Sequence, residues 1–255
     1  MFEGVSPEVT EIATNQFQTT LQRITGFAGT VELVSHDRAL VARLEEGKLD
    51  AGVFHGFEYA WVQDNPDLIP MVVAVPNCGK VQACLVVREN SKAKEPKELK
   101  GACIGIPKRR KAHCQLFLER IQAKVPEGTC RKANLEGLTP KEVLDAVVTG
   151  KCEAAMVDVS ALLAYQNDTP GLGRQLKILA ASELFPAAVL VYRKGAWSPD
   201  EVGLIRKGLL NCARTTSGKT LILSMQLKGF EEVSEAYKKE LKESLKGYPP
   251  PQTSK

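Results

Sequence analysis

The chain has 255 residues, of which 44% are hydrophobic and 25% are charged. This composition is that of an ordinary globular protein and excludes a disordered, collagen-like or coiled-coil chain, and the length allows one large domain or two lobes. The formal net charge of +4 is too small to indicate nucleic-acid binding, and no stretch approaches the length of an apolar membrane span. Residues 1–16 contain neither the basic nor the apolar region of a signal peptide, so we expect none in this chain.

Short apolar runs alternate with helical patterns along most of the chain, which predicts an α/β protein. The chain begins with a loop and a helix. From Ser198 onward the pattern is helical only, and a proline-rich tail follows at 248–255. The predicted strands are 30–35, 49–55, 68–77, 80–90, 102–107, 153–159, 175–182 and 187–194, and the helices between them are 37–47, 109–125, 140–151 and 160–167.

Two of these predicted strands, 102–107 and 153–159, are mostly apolar. A strand that is apolar along most of its length is typical of burial on both faces. We therefore expect these two strands to lie in a parallel sheet.

The seven cysteines contain no Cys-x-x-Cys pair and no Cys/His cluster at zinc-finger spacing, so we expect no structural metal site. The odd number leaves at least one thiol free or bonded to another chain. Cys84, Cys103 and Cys152 lie in or beside apolar strand-like runs, which favours buried thiols over disulfides. If a disulfide bond forms, we favour Cys114 and Cys130 as the pair.

The most distinctive local motif is a basic turn at 108–113 (Lys-Arg-Arg-Lys-Ala-His), between a buried strand and an amphipathic helix. The first backbone N–H groups of a helix have no partner within it, and the helix dipole favours a bound anion there. The four cations of this turn would be unfavourable at a helix start unless a negative group offset them. The motif therefore predicts an anion site, and the alternative is a solvated basic loop.

Two further candidates follow predicted strands. The segment 54–59 (Phe-His-Gly-Phe-Glu-Tyr) comes at the end of strand 49–55, and Asp158 lies at the end of strand 153–159. Because ligands of open α/β sheets bind at the carboxyl ends of strands, both are candidates for ligand contact. The alternatives are that the aromatic side chains pack in the core and that Asp158 caps the next helix.

The sequence contains no catalytic motif. It has no G-x-S-x-G around a serine and no phosphate-binding G-x-x-x-x-G-K-[ST] loop, and 171–173 lacks the third glycine of a dinucleotide fingerprint. The neighbours His113 and Cys114 face different sides of a helix and cannot form a nucleophile–base pair. We therefore expect a protein that is not an enzyme.

Several segments are similar to the phosphate/phosphonate-type periplasmic solute-binding proteins of ABC transporters. The family pattern, a helix followed by G-x-x-D-x with three apolar residues and then a tyrosine, is matched by Gly47–Phe54 and Tyr59. The family element G-x-(A/C)-(D/E)-A-A-x-x-D ends here in Asp158. The resemblance covers about residues 30–230 in the family's order, including the segments 81–91, 99–107 and 181–210.

The resemblance implies a type 2 periplasmic-binding fold, with two α/β lobes that are each a mostly parallel sheet flanked by helices. Lobe 1 would comprise 1–87 plus 191–255 and lobe 2 would comprise 88–190, with hinge strands at 81–90 and 187–195. The family begins with a strand, whereas this chain begins with a loop and a helix, so we expect that first strand to be absent here, with reduced stability or an incomplete pocket.

The same resemblance implies the solute-binding component of an ABC uptake system. It would hold a small anionic ligand of the phosphate or phosphonate class in the cleft between the lobes and deliver it to an ABC permease. It would be a monomer in the periplasm or otherwise outside the cytoplasm, with no cofactor, metal or nucleic acid, and would meet the membrane only through the permease or an anchor. The alternatives are a ligand-sensing domain of a signalling system and a pyrimidine-precursor-type enzyme on the same scaffold.

Carried over residue by residue, the resemblance places ligand contacts at His55, Tyr59 and Gln82 in lobe 1 and at Lys108, Arg109, His113 and Asp158 in lobe 2. Arginine would bind oxyanion oxygens in pairs, and Asp158 would accept a hydrogen bond from a ligand amino group. Where the family has a Ser-Thr-Ser-like turn for phosphoryl oxygens, this chain has the basic turn. That change predicts a larger or more highly charged anion than an alkylphosphonate, or a ligand without a phosphoryl group.

Overall fold

A computed structural model of the chain describes residues 7–34, 37–99, 101–107, 111–124, 130–133 and 138–251. The chain forms two compact units: one is the continuous segment Lys80–Phe185, and the other combines the segments before and after it. We call the first the inner unit and the second the two-segment unit. The boundaries between them fall at 79/80 and 185/186, where the sequence analysis placed them at 87/88 and 190/191.

The strands and helices alternate as expected for an α/β protein. The strands are β1 (Ala51–Phe54), β2 (Leu68–Pro76), β3 (Ala83–Arg88), β4 (Ala102–Gly105), β5 (Cys130–Ala133), β6 (Ala154–Asp158), β7 (Leu176–Ala181), β8 (Ala188–Arg193) and β9 (Leu227–Glu232). The helices are α1 (Pro7–Thr25), α2 (Asp37–Glu45), α3 (Gly56–Val62), α4 (Ala112–Gln122), α5 (Pro140–Val148), α6 (Val159–Asp168), α7 (Pro170–Gly173), α8 (Pro199–Leu210), α9 (Thr216–Ser224) and α10 (Glu235–Gly247). None of the helices within these described ranges is long and apolar enough to cross a membrane.

Helices α5 and α8 begin where the sequence places a hydroxyl residue, a proline and a glutamate in order. The Thr139 and Ser198 backbone N–H groups donate to the side chains of Glu142 and Glu201, in each case over 2.7 Å. Each hydroxyl oxygen in turn accepts from the backbone N–H of the glutamate, at 3.3 Å. These reciprocal bonds satisfy N–H groups that a helix start leaves without partners.

The two-segment unit contains a four-stranded sheet in the order β1-β8-β2-β9, and all of its neighbouring strands are antiparallel. Strand β2 is buried on both faces. On one face Met71 and Val72 pack against α8, and on the other Val73 packs near Tyr237 of α10. The uninterrupted apolar sequence of β2 therefore reflects helices on both faces of the sheet and carries no information on strand direction.

The inner unit contains a five-stranded sheet in the order β5-β4-β6-β3-β7. Strand β4 is parallel to β5 and β6, as predicted, whereas β3 is antiparallel to both β6 and β7. The prediction of mostly parallel sheets was therefore wrong for the two-segment unit and only half right here. The hydrophobic periodicity of a sequence indicates which faces of a strand are buried. It does not indicate strand direction, which depends on how the strands are connected.

Two local predictions were also wrong. The run 30–35 was expected to be a strand, but Thr30–Val34 is not in a strand, and the side chain of Leu33 is 49% exposed. Strand β9 was not expected, because it has only two apolar residues and contains a glycine, Gly229, which weakens a strand pattern. It is held in the sheet by its pairing with β2.

The cysteines of the described residues are free thiols. Cys84 and Cys152 are buried, as expected, whereas Cys103 is partly exposed. Cys114 is also a free buried thiol, in contrast to the bridge that we favoured for it, and the side chain of Cys130 lies outside the described residues.

Candidate functional site

The candidate site of the inner unit lies where β4 and β6 end. The two strands are parallel neighbours in register, with Ile104 opposite Ala154 and Gly105 opposite Ala155. Their carboxyl ends therefore lie at the same edge of the sheet. The segment after β4 leads into α4, and Asp158 is the last residue of β6, so the fold brings these two predicted elements together.

At this edge one buried carboxylate collects four hydrogen bonds. The Asp158 side chain is 6% exposed, and its Oδ2 atom lies 2.8 Å from Nε2 of His113. Its Oδ1 atom accepts from Lys111 Nζ at 3.1 Å, from the Ser160 backbone N–H at 2.9 Å, and from the Ser160 hydroxyl. We call these four residues the Asp158 cluster.

The environment of Asp158 keeps its carboxyl group ionised. Burial acts to raise the pKa of Asp158, but the His113 hydrogen bond, the Lys111 charge and the Ser160 hydrogen bond together hold it well below its usual range. A carboxylate only accepts, so the Nε2 atom of His113 must carry the proton of their hydrogen bond. Asp158 is therefore an anion at neutral pH, and the positive charge of Lys111 offsets it locally.

Asp158 has the structural role that the sequence analysis gave as the alternative to ligand contact, and it has other partners as well. Its bond to the Ser160 N–H caps α6, which was the structural alternative. The same carboxylate also fixes His113, which is 2% exposed and packs its ring against Phe185 at a centroid distance of 5.6 Å. Asp158 thereby ties the start of α4 to the end of β6.

The basic turn is described only in part. Lys108 and Arg109, both candidate contacts, lie outside the described residues. Lys111 is the residue that precedes α4, and it directs its side chain, which is 49% exposed, to Asp158. One of the four cations therefore has an anionic partner within the protein, which offsets its unfavourable position at a helix start.

His55 and Tyr59 lie at the start of α3 in the two-segment unit. His55 is exposed; its backbone N–H donates to Glu58 Oε2 at 3.1 Å, and its ring stacks on Phe57 at a centroid distance of 5.7 Å. Tyr59 is buried, and its hydroxyl donates to the Leu68 carbonyl at 3.4 Å. Burial raises the pKa of Tyr59 to about 12, so its hydroxyl stays protonated at neutral pH. Tyr59 thus has a packing role, as the alternative for this segment supposed.

Gln82 belongs to the inner unit and precedes β3. Its Nε2 atom donates to the Ser182 carbonyl at 2.7 Å, and the Ser182 hydroxyl accepts from the Ala83 N–H at 3.0 Å. Gln82 therefore joins the start of β3 to the end of β7, and its amide already has a partner in the protein.

Two members of the Asp158 cluster were not candidates in the sequence analysis. Ser160 follows Asp158 by two residues, a spacing that capping chemistry could have suggested. Lys111 was only part of the basic turn, since its pairing joins residues 47 positions apart. Among the described residues, no group of three or more His, Cys, Asp and Glu side chains lies close enough to hold a metal ion.

Comparison with known families identifies the chain. The family described as ABC transporter, phosphonate, periplasmic substrate-binding protein matches residues 3–237. The chain belongs to this family. The prediction of a substrate-binding component of an ABC transport system is thereby confirmed, and members of this family work outside the cytoplasm with a permease. No curated protein matches the chain in sequence.

Solved structures confirm the type 2 periplasmic-binding fold for this phosphonate-family protein. One is PhnD1 of Prochlorococcus marinus in complex with methylphosphonate, with a TM-score of 0.65, 16% identity, and coverage of 94% of this chain and 93% of that one. A binding protein of an ABC phosphonate transporter from Pseudomonas aeruginosa has a TM-score of 0.63 and 13% identity, over 94% of this chain and 82% of that one. XAC2383 of Xanthomonas citri bound to ATP has a TM-score of 0.65 and 16% identity, over 92% and 90%.

Proposed function

We propose that this protein binds a small oxyanion of the phosphate or phosphonate class that carries no amino group, and delivers it unchanged to a permease. The family supplies the class of ligand, and the Prochlorococcus marinus relative in fold is bound to methylphosphonate. The observation that carries the finer proposal is the state of Asp158. Its carboxylate lies at the candidate site, and protein donors already occupy both of its oxygens.

A ligand ammonium would have to compete for Asp158 with groups that are already in place. To reach Oδ1 it would displace Lys111, which exchanges one ammonium for another with little net gain in electrostatic energy. To reach Oδ2 it would break the bond to His113, and leaving a buried polar group without a partner costs about 1–3 kcal/mol. An amino group therefore gains nothing from Asp158 in this protein, although the sequence analysis assigned it that partner.

The anionic part of the ligand needs cations and N–H donors. In this proposal Lys108 and Arg109 supply the charge, with Arg109 binding two oxygens at once, and the N-terminal N–H groups of α4 add hydrogen bonds. His113 and Asp158 position the start of α4 through the bond between them. His55, Tyr59 and Gln82 remain candidate contacts, of which His55 has the exposed side chain.

The decisive experiment compares ethylphosphonate with 2-aminoethylphosphonate, which differ mainly by one ammonium group. Titration calorimetry and thermal shift, at fixed ionic strength, should show ethylphosphonate binding at least as tightly as the amino compound. A panel of phosphate, phosphite, methylphosphonate, sulfate, sulfonates, polyphosphate and ATP defines the preferred anion. A ligand at 100 times its Kd should raise the free energy of unfolding by about 2.7 kcal/mol. Tight binding of only the amino compound, or no response to any member, would contradict the proposal.

Three further measurements test the ligand contacts, the absence of turnover and the monomeric state. Arg109→Ala and His55→Ala should each weaken binding of the preferred anion, and unchanged affinity in both would refute these contacts. Phosphorus NMR should show the bound ligand chemically unchanged after prolonged incubation, as expected of a carrier that is not an enzyme. Light scattering should give the mass of a monomer.

A further inference from the structure

Two thiols of the inner unit lie in direct contact at the end of the sheet opposite the Asp158 cluster. The Sγ atoms of Cys103 and Cys152 are 3.3 Å apart. Cys103 lies near the start of β4, and Cys152 comes two residues before β6. The contact therefore joins the entrances of two neighbouring parallel strands.

The backbone around this pair is fixed by its own hydrogen bonds. The Glu153 N–H donates to the Cys103 carbonyl at 3.2 Å, and the Cys103 N–H donates to Glu153 Oε2 at 2.7 Å. The register of β4 and β6 continues directly from these bonds, with Ile104 opposite Ala154. The pairing of the two strands thus places Cys103 and Cys152 next to each other.

The two thiols differ in their access to solvent. Cys152 is 1% exposed, whereas Cys103 is partly exposed. A disulfide bond is about 2.05 Å long, so the sulfurs need to approach by only about 1.3 Å. This distance is within the reach of small rotations of two side chains, with the strands left in place.

We propose that Cys103 and Cys152 form a disulfide bond under oxidising conditions, and that this bond stabilises the inner unit. The family to which the chain belongs is periplasmic, and disulfides form and persist in such compartments. The bond closes a loop that contains α4, β5 and α5. Closing a loop of this length restricts the unfolded chain and thereby favours the folded state.

The chemistry is a two-step thiol–disulfide exchange with a small disulfide as oxidant. The Cys103 thiolate attacks one sulfur of the oxidant, whose S–S bond breaks, so that one thiol leaves and a mixed disulfide forms on Cys103. The Cys152 thiolate then attacks Cys103 Sγ, forms the protein disulfide and releases the second thiol. The two cysteines lose two protons and two electrons, and the oxidant is reduced to two thiols.

The second step depends on pH. Burial raises the pKa of Cys152, so the attacking thiolate is rare at neutral pH. Closure of the bond should therefore be slow at pH 7 and faster at pH 9.

The test uses the full chain oxidised with oxidised glutathione, then alkylated under denaturing conditions and digested with trypsin. Cleavage after Lys100, Lys108, Lys151 and Arg174 yields two fragments, 101–108 and 152–174, that contain one cysteine each. We expect these fragments joined by a disulfide, together with alkylation of the five remaining cysteines of the seven. Recovery of both fragments alkylated and separate, of Cys103 carrying only glutathione, or of Cys152 joined elsewhere would overturn the proposal.

Stability provides a second measurement. The melting temperature of the oxidised protein should exceed that of the reduced protein by roughly 5–15 °C. Cys103→Ser should abolish this difference, whereas Cys212→Ser, at a buried position in the two-segment unit, should preserve it. Equal melting temperatures of the wild-type protein in the two redox states would overturn the stabilising role. The peptide map requires no variant, so a poorly folding variant does not remove the test.

Discussion

Nε2 of His113 lies 2.8 Å from Oδ2 of Asp158, and both side chains are almost completely buried. The pair joins the first turn of α4, the helix that follows β4, to the last residue of β6, the strand parallel to β4. Because the loops after such strands form ligand sites in α/β folds, the pair fixes the geometry of the candidate site from within the inner unit.

Replacing Asp158 by Asn should destabilise the protein and change how its stability depends on pH. The variant removes a charged acceptor from His113 and Lys111, which we expect to cost about 2–4 kcal/mol at pH 7. The folded-state pKa of Asp158 lies below its unfolded value, so its contribution is complete above about pH 5 and decreases as pH falls through the acidic range. Urea unfolding from pH 7 to pH 3 should show the difference between wild type and variant shrinking at low pH. Asp64→Asn, at an exposed position, is the control, and a difference that grows toward low pH would contradict this account.

Replacing Lys111 by Met should change the ligand preference. The variant frees Asp158 Oδ1 from its ammonium partner, so a ligand ammonium can take that place. We expect the affinity for 2-aminoethylphosphonate, relative to ethylphosphonate, to rise roughly 3- to 30-fold, the range for a hydrogen-bonded ion pair that is partly exposed. Titration calorimetry measures both ligands on both proteins. Lys124→Met, an exposed lysine after α4, serves as the control, and the same ratio in Lys111→Met as in wild type would refute the role of Lys111.

Replacing Gly56 by Ala should destabilise the two-segment unit. A Cβ atom at Gly56 would lie 2.3 Å from the Pro186 carbonyl oxygen and 2.5 Å from that of Ala187, and both are backbone atoms that cannot turn away. We expect a loss of about 2–4 kcal/mol in the free energy of unfolding, at or above the usual cost of overpacking. Gly203 in α8 has no atom within 4 Å of the same position, so Gly203→Ala should instead stabilise by about 0.5–1 kcal/mol. Equal effects of the two substitutions in urea unfolding would be inconsistent with this packing.

Replacing Tyr237 by Phe should destabilise the protein, because it removes a hydrogen bond between α10 and the start of β8. The buried Tyr237 hydroxyl donates to the Ala187 carbonyl at 2.7 Å, and burial raises the pKa of this tyrosine well above its usual range. Without the hydroxyl the carbonyl loses a buried partner, which should cost about 1–2 kcal/mol in the free energy of unfolding. Tyr192→Phe is the control: this half-buried ring stacks on Trp197, and its substitution should change the free energy of unfolding by less than half of that amount.

Much of the fold was predictable because burial leaves a clear pattern in the sequence. Strands β2, β3, β6 and β8 are apolar runs that lie in or next to the core, and all four were predicted within a few residues. The direction of the strands was not predictable in the same way, since helices on both faces make an antiparallel strand such as β2 as apolar as a parallel one. Strand β9 escaped prediction because its place depends on pairing with β2, a segment about 150 residues earlier in the chain.

The sequence predicted which residues belong to the candidate site, but it did not predict the contacts among them. The basic turn, the strand end and the family resemblance identified His113 and Asp158 as candidates, but their contact joins residues 45 positions apart. The pairing of Lys111 with Asp158 depends on the register of β4 and β6, which no local pattern reveals. The tendency of an aspartate to cap the helix after its strand was a correct local inference, and it gave no sign of the other partners.

The inner unit is one continuous segment of the sequence, and this affects the order in which the two units can fold during translation. Its ends meet where Val81 and Phe185 form an isolated β-bridge, and all of its strands and helices lie between them. It can therefore fold as soon as Phe185 has left the exit tunnel. The two-segment unit cannot complete its sheet at that point, because β8 lies between β1 and β2 and is translated more than a hundred residues after them. During that interval β1 and β2 lack the strand that pairs with both. Nascent chains stalled before β8 should therefore stay bound to chaperones longer than chains stalled after it.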